Sequence, residues 1–334
     1  MLTDRLNHKP TISIILSFFN EAEVIPELLQ RLRDVLRGEL KKGCISEYEL
    51  IFINDASTDV SRAMLTNESE LHGDIRLINM SRNFGVSPCV FAGLDHCESD
   101  LAIFMDADLQ DPPEVIPQML EAWRSDSEVE VVHTVRYARE GETAVKMIVT
   151  RIGYRILRQF ASIDLQIEAG DFKLVGSRAL AQLKGLKEKR PFTRGLVSWI
   201  GFKQVSITYK REARFAGETK FPIFSLGVIR NFLSSALISF SDMPLQLSSL
   251  VGVAVSFLAL LYALLIVVQK IFGFLVEPWS YVLLAVMFFS GIQLLSIGMI
   301  GLYLSAIHLE SKRRPNYIVD TLVGFKHPPT NHAL

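Results

Sequence analysis

The chain has 334 residues, with 35 Lys and Arg against 36 Asp and Glu, a formal net charge of −1. That balance gives no footing for a polyanion binder, and the length suits one full α/β domain plus a further element. Hydrophobic residues make up 49% of the chain, and the excess is concentrated in its last third.

The first apolar run, "ISIILSFF" at 12–19, is too short to cross a bilayer and has no small-residue cleavage pattern after it. It is read as a strand, not as a signal peptide. From residue 11 to about 210, β-rich runs alternate with helical patterns. The predicted strands are "TISIILSFF", "YELIFIND", "IRLINMS", "DLAIFMDAD", "VEVVHTVR", "DFKLVGS" and "QVSITYK". Between the early ones lies "EVIPELLQRLRDVLRGEL", with Leu28, Leu32, Val35 and Leu36 at helical spacing. Alternation of this kind predicts an α/β fold with a mostly parallel sheet covered on both faces, which binds ligands beyond the carboxyl ends of its strands. Cys44, Cys89 and Cys97 form no CxxC pair and have no His pattern nearby. A zinc site or a disulfide framework is therefore not expected, and a reducing cytoplasmic setting is.

Residues 221–243 carry one apolar stripe, Leu226, Ile229, Leu233, Leu237 and Phe240, with Arg230, Asn231, Ser234 and Ser235 on the other side. Such a helix suits the membrane interface. Two charge-free apolar runs follow, at 245–268 and 280–307, each long enough to span a hydrocarbon core of about 30 Å. Gly291, Gly298 and Gly301 allow close helix packing there. The short link makes them a hairpin. Lys312, Arg313 and Arg314 cluster after the second run, whereas the link offers only Lys270 against Glu277. The positive-inside bias places the N-terminal domain and the C-terminus in the cytoplasm. The expected division is a catalytic domain at 1–220, a juxtamembrane segment at 221–244, a membrane hairpin at 245–307 and a cytoplasmic tail at 308–334, with "KHPPTNHAL" loose at its end.

The strand tips carry the chemistry. The fourth strand ends in "DADLQDPPE". Asp106 and Asp108 alternate, so both carboxylates leave the strand on one side, and two such charges repel unless a cation or proton separates them. Oxygen ligands of this kind suit Mg²⁺ or Mn²⁺, with Gln110 as a further donor. Asp111 before two prolines reads as a helix N-cap. The spacing lacks the glycine and glutamate of an EF-hand. The first strand ends in Asn20 and Glu21, and the second in Asp55, Ser57 and Asp59. Three polar tips converging on one edge predict a binding crevice.

These stretches together resemble the inverting family-2 glycosyltransferases of the GT-A fold, within them the polyprenyl-phosphate glycosyltransferases such as bactoprenol glucosyltransferases and dolichol-phosphate mannose synthases. The resemblance rests on "SFFNEAEVIP", "INDASTD", "SRNFG", "FAGLDH", "DADLQDPPEVIP", "AGDFKLVGSRA", "GLVSWIGF", "RFAGETKF" and the terminal "KRRPNYIV", and covers nearly the whole chain. Ser17 replaces a usual proline, Ala56 a glycine, and Val86 a frequent lysine.

The resemblance implies a nucleotide-sugar donor and a polyprenyl phosphate acceptor. Glucose from UDP-glucose is the first choice, with GDP-mannose, UDP-N-acetylhexosamine and a UDP-aminoarabinose derivative as alternatives. It implies Asn20, Glu21 and Asp55 around the nucleoside, and Asp106, Asp108 and Gln110 on a Mg²⁺ or Mn²⁺ that bridges the diphosphate. Arg214 and Lys220 in "RFAGETKF" would close over the donor. Arg136, Arg151, Arg155 and Arg194 are the candidate cations for the acceptor phosphate. Asp171 matches an acidic position near the sugar and would orient it or assist the ionised acceptor. A homo-oligomer, up to a tetramer, and a flippase partner are also implied. Two rival readings fit the sequence less well. A processive polysaccharide synthase would carry QxxRW, yet none of Trp123, Trp199 and Trp279 follows an Arg. A non-catalytic, membrane-anchored nucleotide-binding subunit would have no use for intact "DADLQ" and "GDF".

Overall fold

The computed structural model describes residues 8–138, 169–189, 191–211 and 278–325, and a few positions between 254 and 272. Among them, eight strands form one sheet: β1 (Thr11–Phe18), β2 (Glu47–Asn54), β3 (Ile75–Met80), β4 (Leu101–Asp106), β5 (Val129–Ala138), β6 (Ala169–Gly176), β7 (Lys203–Lys210) and β8 (Val319–Val323). The order is β7-β5-β6-β4-β1-β2-β3-β8. β1 pairs in parallel with both β2 and β4, and β2 pairs in parallel with β3. β6 runs antiparallel to both of its neighbours, and β8 antiparallel to β3. The first seven strands fall on the seven predicted runs. β8 does not: its five residues lie in the expected tail.

The central strands show why an apolar run becomes a two-sided strand. Ile12, Ile14, Ile15 and Leu16 of β1 are all fully buried, as are Leu50, Ile51, Phe52 and Ile53 of β2, the pattern of a sheet covered on both faces. One face packs with α1 (Ile25–Lys41), whose Leu28, Leu32 and Leu36 join Ile12, Ile14, Leu16 and Phe52 in a single core. Against the other face lies α3 (Val86–His96). A Cβ on its Gly93 would sit 2.4 Å from Ile15 Cγ2, so only glycine permits this approach. Alongside β2 and β3, α2 (Ser61–Leu71) completes the early crossovers. α4 (Ile116–Arg124), α5 (Ser177–Gly185) and α6 (Thr193–Trp199) follow later strands.

Sheet order positions the site. The chain steps from β1 outward to β2 and β3, then returns to place β4 on the opposite side of β1. In open α/β sheets such a reversal is where ligands bind, here above the carboxyl ends of β1 and β4. The register levels these tips: Ser17 lies opposite Asp106, and Phe18 opposite Asn54.

The described residues divide into two compact units, the sheet-bearing one and a second that contains α7 (Pro278–Ser311). α7 has 34 residues, about 51 Å at 1.5 Å per residue, and includes the whole of the second expected span. Restricted to the described residues, no helix is long and apolar enough to cross a membrane. Most of the first expected span and the whole 221–243 stripe lie outside the described residues.

Candidate active site

After Asp106 the chain turns sharply. Leu109 takes φ +56°, and an oxygen of Asp108 accepts a hydrogen bond from the Gln110 backbone N–H at 3.1 Å. The turn keeps Asp106, Asp108 and Asp111 beside β6. There, Lys173 pairs with Phe104, and two residues further along the antiparallel register Asp171 comes opposite Asp106. Burial, reinforced by the charges of Asp171, Asp108 and Asp111 and opposed by Arg194, raises the pKa of Asp106 to about 7. Arg194 of α6 grips Asp171 in a two-pronged ion pair, Nε to Oδ1 at 2.8 Å and Nη2 to Oδ2 at 2.5 Å. This fork geometry is specific to Arg.

Two expectations about this loop need revision. Asp111 does not cap the following turn, which begins after Pro112 with no side-chain cap. Pro112 and Pro113 present no N–H for it to accept. The buried carboxylate instead accepts a short hydrogen bond from the Tyr209 hydroxyl and lies 3.8 Å from Arg211 Nε. Gln110, expected on the metal, has its amide oxygen engaged by Arg211 Nη2 at 2.6 Å.

The tips of β1 and β2 are tied to each other. Asn20, at φ +54°, accepts hydrogen bonds from the backbone N–H groups of Thr58 (2.8 Å) and Asp59 (3.3 Å), and its own N–H donates to Ser57 Oγ at 3.0 Å. Glu21 is buried, and its N–H donates to Ser61 Oγ at 3.1 Å. Asp55 spends both oxygens on the "SRNFG" loop, accepting from Phe84 N–H at 2.7 Å and Gly85 N–H at 2.9 Å. That loop presents Arg82 stacked over the Phe84 ring at 4.0 Å. Asn20 and Asp55 therefore shape the crevice wall through backbone contacts. Ala56 adopts φ +60°, a conformation that favours glycine, which explains why glycine is usual at that place in the resembling family.

Arg136 lies on β5 near its carboxyl end, its side chain outside the description. Arg151, Arg155, Arg214 and Lys220 lie outside the described residues. The structure thus brings together Asp106, Asp108 and Asp111 of one loop with Asp171 and Arg194, from three separate places in the sequence. It adds Tyr209, Arg211, Lys173, His133 and Gln204, none of which the sequence marked. The available signal was a charged or polar residue inside an otherwise apolar strand, as in "VEVVHTVR" and "DFKLVG".

A separate surface cavity of about 380 Å³ is lined by Pro26, Leu29, Arg33 and Glu68, among others. Its Arg33 is already paired with Asp74 and Glu68, and none of the strand-tip residues lines it. The acidic cluster lies elsewhere, at the strand tips, where Asp106 sits among Asp108, Asp111, Asp171 and Arg194.

The sequence profile of glycosyl transferase family 2 matches residues 13–183, a stretch that runs from β1 to α5. The chain belongs to glycosyl transferase family 2. As a member it is a glycosyltransferase with a GT-A-like α/β fold, which leaves the non-catalytic reading without support. Among curated proteins it is 39% identical over 315 residues to the uncharacterized glycosyltransferase YkcC of Bacillus subtilis, covering 94% of each chain. It is 33% identical over 309 residues to the prophage bactoprenol glucosyl transferase homolog of Escherichia coli, covering 92% of this chain and 98% of that one. It is equally similar, at 33%, to the bactoprenol glucosyl transferase of Shigella phage SfV, with 92% and 97% covered. Among solved structures, glucosyl-3-phosphoglycerate synthase from Mycobacterium tuberculosis aligns with a TM-score of 0.46 at 19% identity, over 70% of this chain and 81% of that one. A likeness that loose adds nothing to the assignment.

Proposed function

We propose that this family member transfers a hexose, glucose from UDP-glucose in the first instance, to the phosphate of a polyprenyl phosphate, with inversion. The full-length similarity to proteins named bactoprenol glucosyl transferase supports the reaction. The observation that carries the chemistry is the acidic cluster at the sheet's reversal, where Asp106 lies among the charges of Asp108, Asp111 and Asp171. GDP-mannose, UDP-N-acetylhexosamine and UDP-aminoarabinose donors remain the alternatives.

Among the described residues, no three acidic, His or Cys side chains converge closely enough to hold a metal alone. Asp106 and Asp108 nonetheless fit a Mg²⁺ or Mn²⁺ that takes its remaining ligands from water and the donor's phosphates, since their mutual repulsion needs a cation. Such an ion would offset the charge that develops on the departing nucleoside diphosphate. Gln110 would join it only after exchanging Arg211. An acceptor phosphate oxygen forms its bond to the anomeric carbon as the bond to the diphosphate oxygen breaks, and the electron pair leaves with the diphosphate. The second pKa of a phosphate monoester is about 6, so the nucleophile is largely ionised at neutral pH without a base. Asp171 then orients the sugar, and Arg194, by gripping it, sets its direction. Arg136, Arg151 and Arg155 are assigned to the acceptor phosphate, whereas Arg194, expected there as well, has its guanidinium engaged by Asp171. Arg214 and Lys220 are assigned to the donor, and Asn20, Glu21 and Asp55 to the walls of the nucleoside site.

The same reading places the enzyme at the cytoplasmic face of the membrane, with an interfacial segment at 221–244 and a hairpin at 245–307. A polyprenyl tail confines its phosphate to that interface, so an anchored active site meets it in two dimensions. A homo-oligomer and a flippase partner fit this placement.

The test uses the full chain in detergent with undecaprenyl phosphate, Mg²⁺ or Mn²⁺ and a panel of nucleotide sugars, followed by mass analysis of the lipid. A hexosyl phosphate lipid from UDP-glucose is the expected product. Asp108→Asn should lose at least 100-fold in transfer with an unchanged melting temperature. Near-normal turnover by that variant, or by the native enzyme with divalent ions chelated, would remove the metal from the reading. Failure to glycosylate the lipid with any donor would remove the acceptor.

A further inference from the structure

A polar chain crosses the interior of the sheet beneath the candidate site. Lys173 is 1% exposed and pairs with His133 in the β5–β6 ladder. Its ammonium donates to His133 Nδ1 at 2.9 Å. His133, 0% exposed, meets Gln204 Oε1 through Nε2 at 2.6 Å. Gln204 uses its amide nitrogen to donate to the carbonyls of Gly201 (2.7 Å), Val197 (3.0 Å) and Ser198 (3.5 Å). Those bonds fix the amide's orientation and leave Oε1 as the acceptor, which assigns the proton to His133 Nε2 and the lone pair to Nδ1. The chain is thus directional, running from Lys173 through His133 and Gln204 to the carbonyls at the end of α6.

α6 is held at both ends as a result. At its start Arg194 grips Asp171, and at its end Gln204 satisfies carbonyls that a helix terminus leaves without partners. Lys173 and Asp171 are two residues apart on β6, so they share one face of the sheet. A lysine buried this deeply costs stability that an apolar residue of its size would not. Its place in the fold calls for a role besides packing.

We propose that Lys173, His133 and Gln204 are positioning residues that hold α6, and with it the Arg194 fork, in register with Asp171. The inference rests on the reading that Asp171 serves at the transfer centre. None of the three touches substrate in this assignment. They act through Arg194.

The experiment is a set of double-mutant cycles in the full-length enzyme, reading kcat, donor KM and melting temperature. Lys173→Met removes the buried charge at nearly constant volume, and Gln204→Met cuts the link to α6 while leaving Lys173 in place. Each should lower kcat at least tenfold with donor KM within threefold of native. In an Arg194→Ala background neither should lower kcat by more than a further twofold, because the step each supports is already lost. Lys173→Met should melt no more than a few degrees below native. Losses that multiply with Arg194→Ala, or a kcat within twofold of native for both single variants, would overturn the proposal. If Lys173→Met does not fold, Gln204→Met decides by the same criteria. Asp171→Asn is measured in parallel. Near-native turnover there would overturn the reading of Asp171 itself, independently of the coupling between Arg194 and the chain.

Discussion

At the scale of single residues, the buried imidazole makes a prediction whose sign can be worked out. Burial first, then the charge of Lys173, against the hydrogen bond that His133 donates to Gln204, lowers the pKa of His133 to about 4. Unfolded, it would titrate near 6.5. Between those values the unfolded chain binds more protons than the folded one, so this residue's contribution to stability is present above pH 6.5 and is lost as pH falls towards 4. The loss amounts to at most about 3 kcal/mol. Asp106 acts in the opposite sense, because its raised pKa makes the folded state the better proton binder between about 4 and 7. The two slopes offset one another in the native protein, and a difference measurement separates them. His133→Gln should be destabilised relative to native at pH 7.5, and the gap should narrow or reverse at pH 5 in urea titrations. A gap that stays constant across that range would show that His133 does not titrate as its surroundings require. The acidic strand tip was legible in the sequence because three carboxylates after an apolar run stand out. Lys173, His133 and Gln204 were not, since each is a lone polar residue in a strand until β5, β6 and β7 are laid side by side.

At the scale of elements, the largest surprise is β8. A five-residue strand follows "KRRPN" and pairs with the edge of β3, where it removes an open edge from the sheet. Val319–Val323 contains Asp320 and Thr321, and such a short mixed run carries no periodicity to mark it as a strand. Its pairing partner lies some 240 residues earlier in the chain, a contact that no local pattern reports. The other strands were legible because each is a mainly apolar or alternating run bounded by turn residues. β8 also reaches the site wall through a ladder of amides. Thr321 Oγ1 accepts from Asn79 Nδ2 at 2.9 Å, Asn79 Oδ1 accepts from Asn54 Nδ2 at 2.9 Å, and Asn54 Oδ1 accepts from the Ser57 N–H at 2.8 Å. Asn54 and Asn79 are both 1% exposed. Thr321→Val leaves the Asn79 amide short of a partner and should cost about 1–3 kcal/mol, read as a lower urea midpoint with an unchanged m-value. Thr321→Ser keeps the hydroxyl and should restore most of it. Equal losses in the two variants would show that the methyl group, and not the hydrogen bond, secures β8.

At the scale of the whole molecule, the question is what solvates α7. No Asp, Glu, Lys or Arg occurs in the sequence from Pro278 to Leu309. The helix carries exposed apolar side chains at Trp279, Val282, Val286, Phe288, Ile297, Ile300, Leu304 and Ile307. At 100° per residue most of that set falls along one side of the helix, but the exposed Tyr281, Phe288 and Leu302 lie on the opposite side, so the apolar surface is not confined to one stripe. A helix packed on a soluble core shows one apolar face, whereas a helix apolar all round is enclosed by protein or by lipid. A monomer rarely leaves a contiguous apolar patch larger than a few hundred Å² in water. Under the membrane reading proposed above, lipid solvates it, and the 34-residue length exceeds the roughly 20 residues a bilayer core needs. Lys312, Arg313 and Arg314 follow at once, and under the same reading they would meet the anionic cytoplasmic leaflet. From Ser311 the chain enters β8 by residue 319, so the apolar helix and the catalytic sheet are joined by a short tether. The expected outcome is that the expressed full-length protein sediments with membranes, resists extraction at high salt and at alkaline pH, and dissolves only in detergent. Ile297→Lys, which places a charge midway along the helix, should lower the membrane-bound fraction or the yield severalfold, because a lysine at the centre of a span costs about 3 kcal/mol. A full-length protein that remains monodisperse in buffer without detergent would place α7 inside a protein assembly instead, and a lipid acceptor would then have to reach the strand tips without an anchored enzyme to meet it.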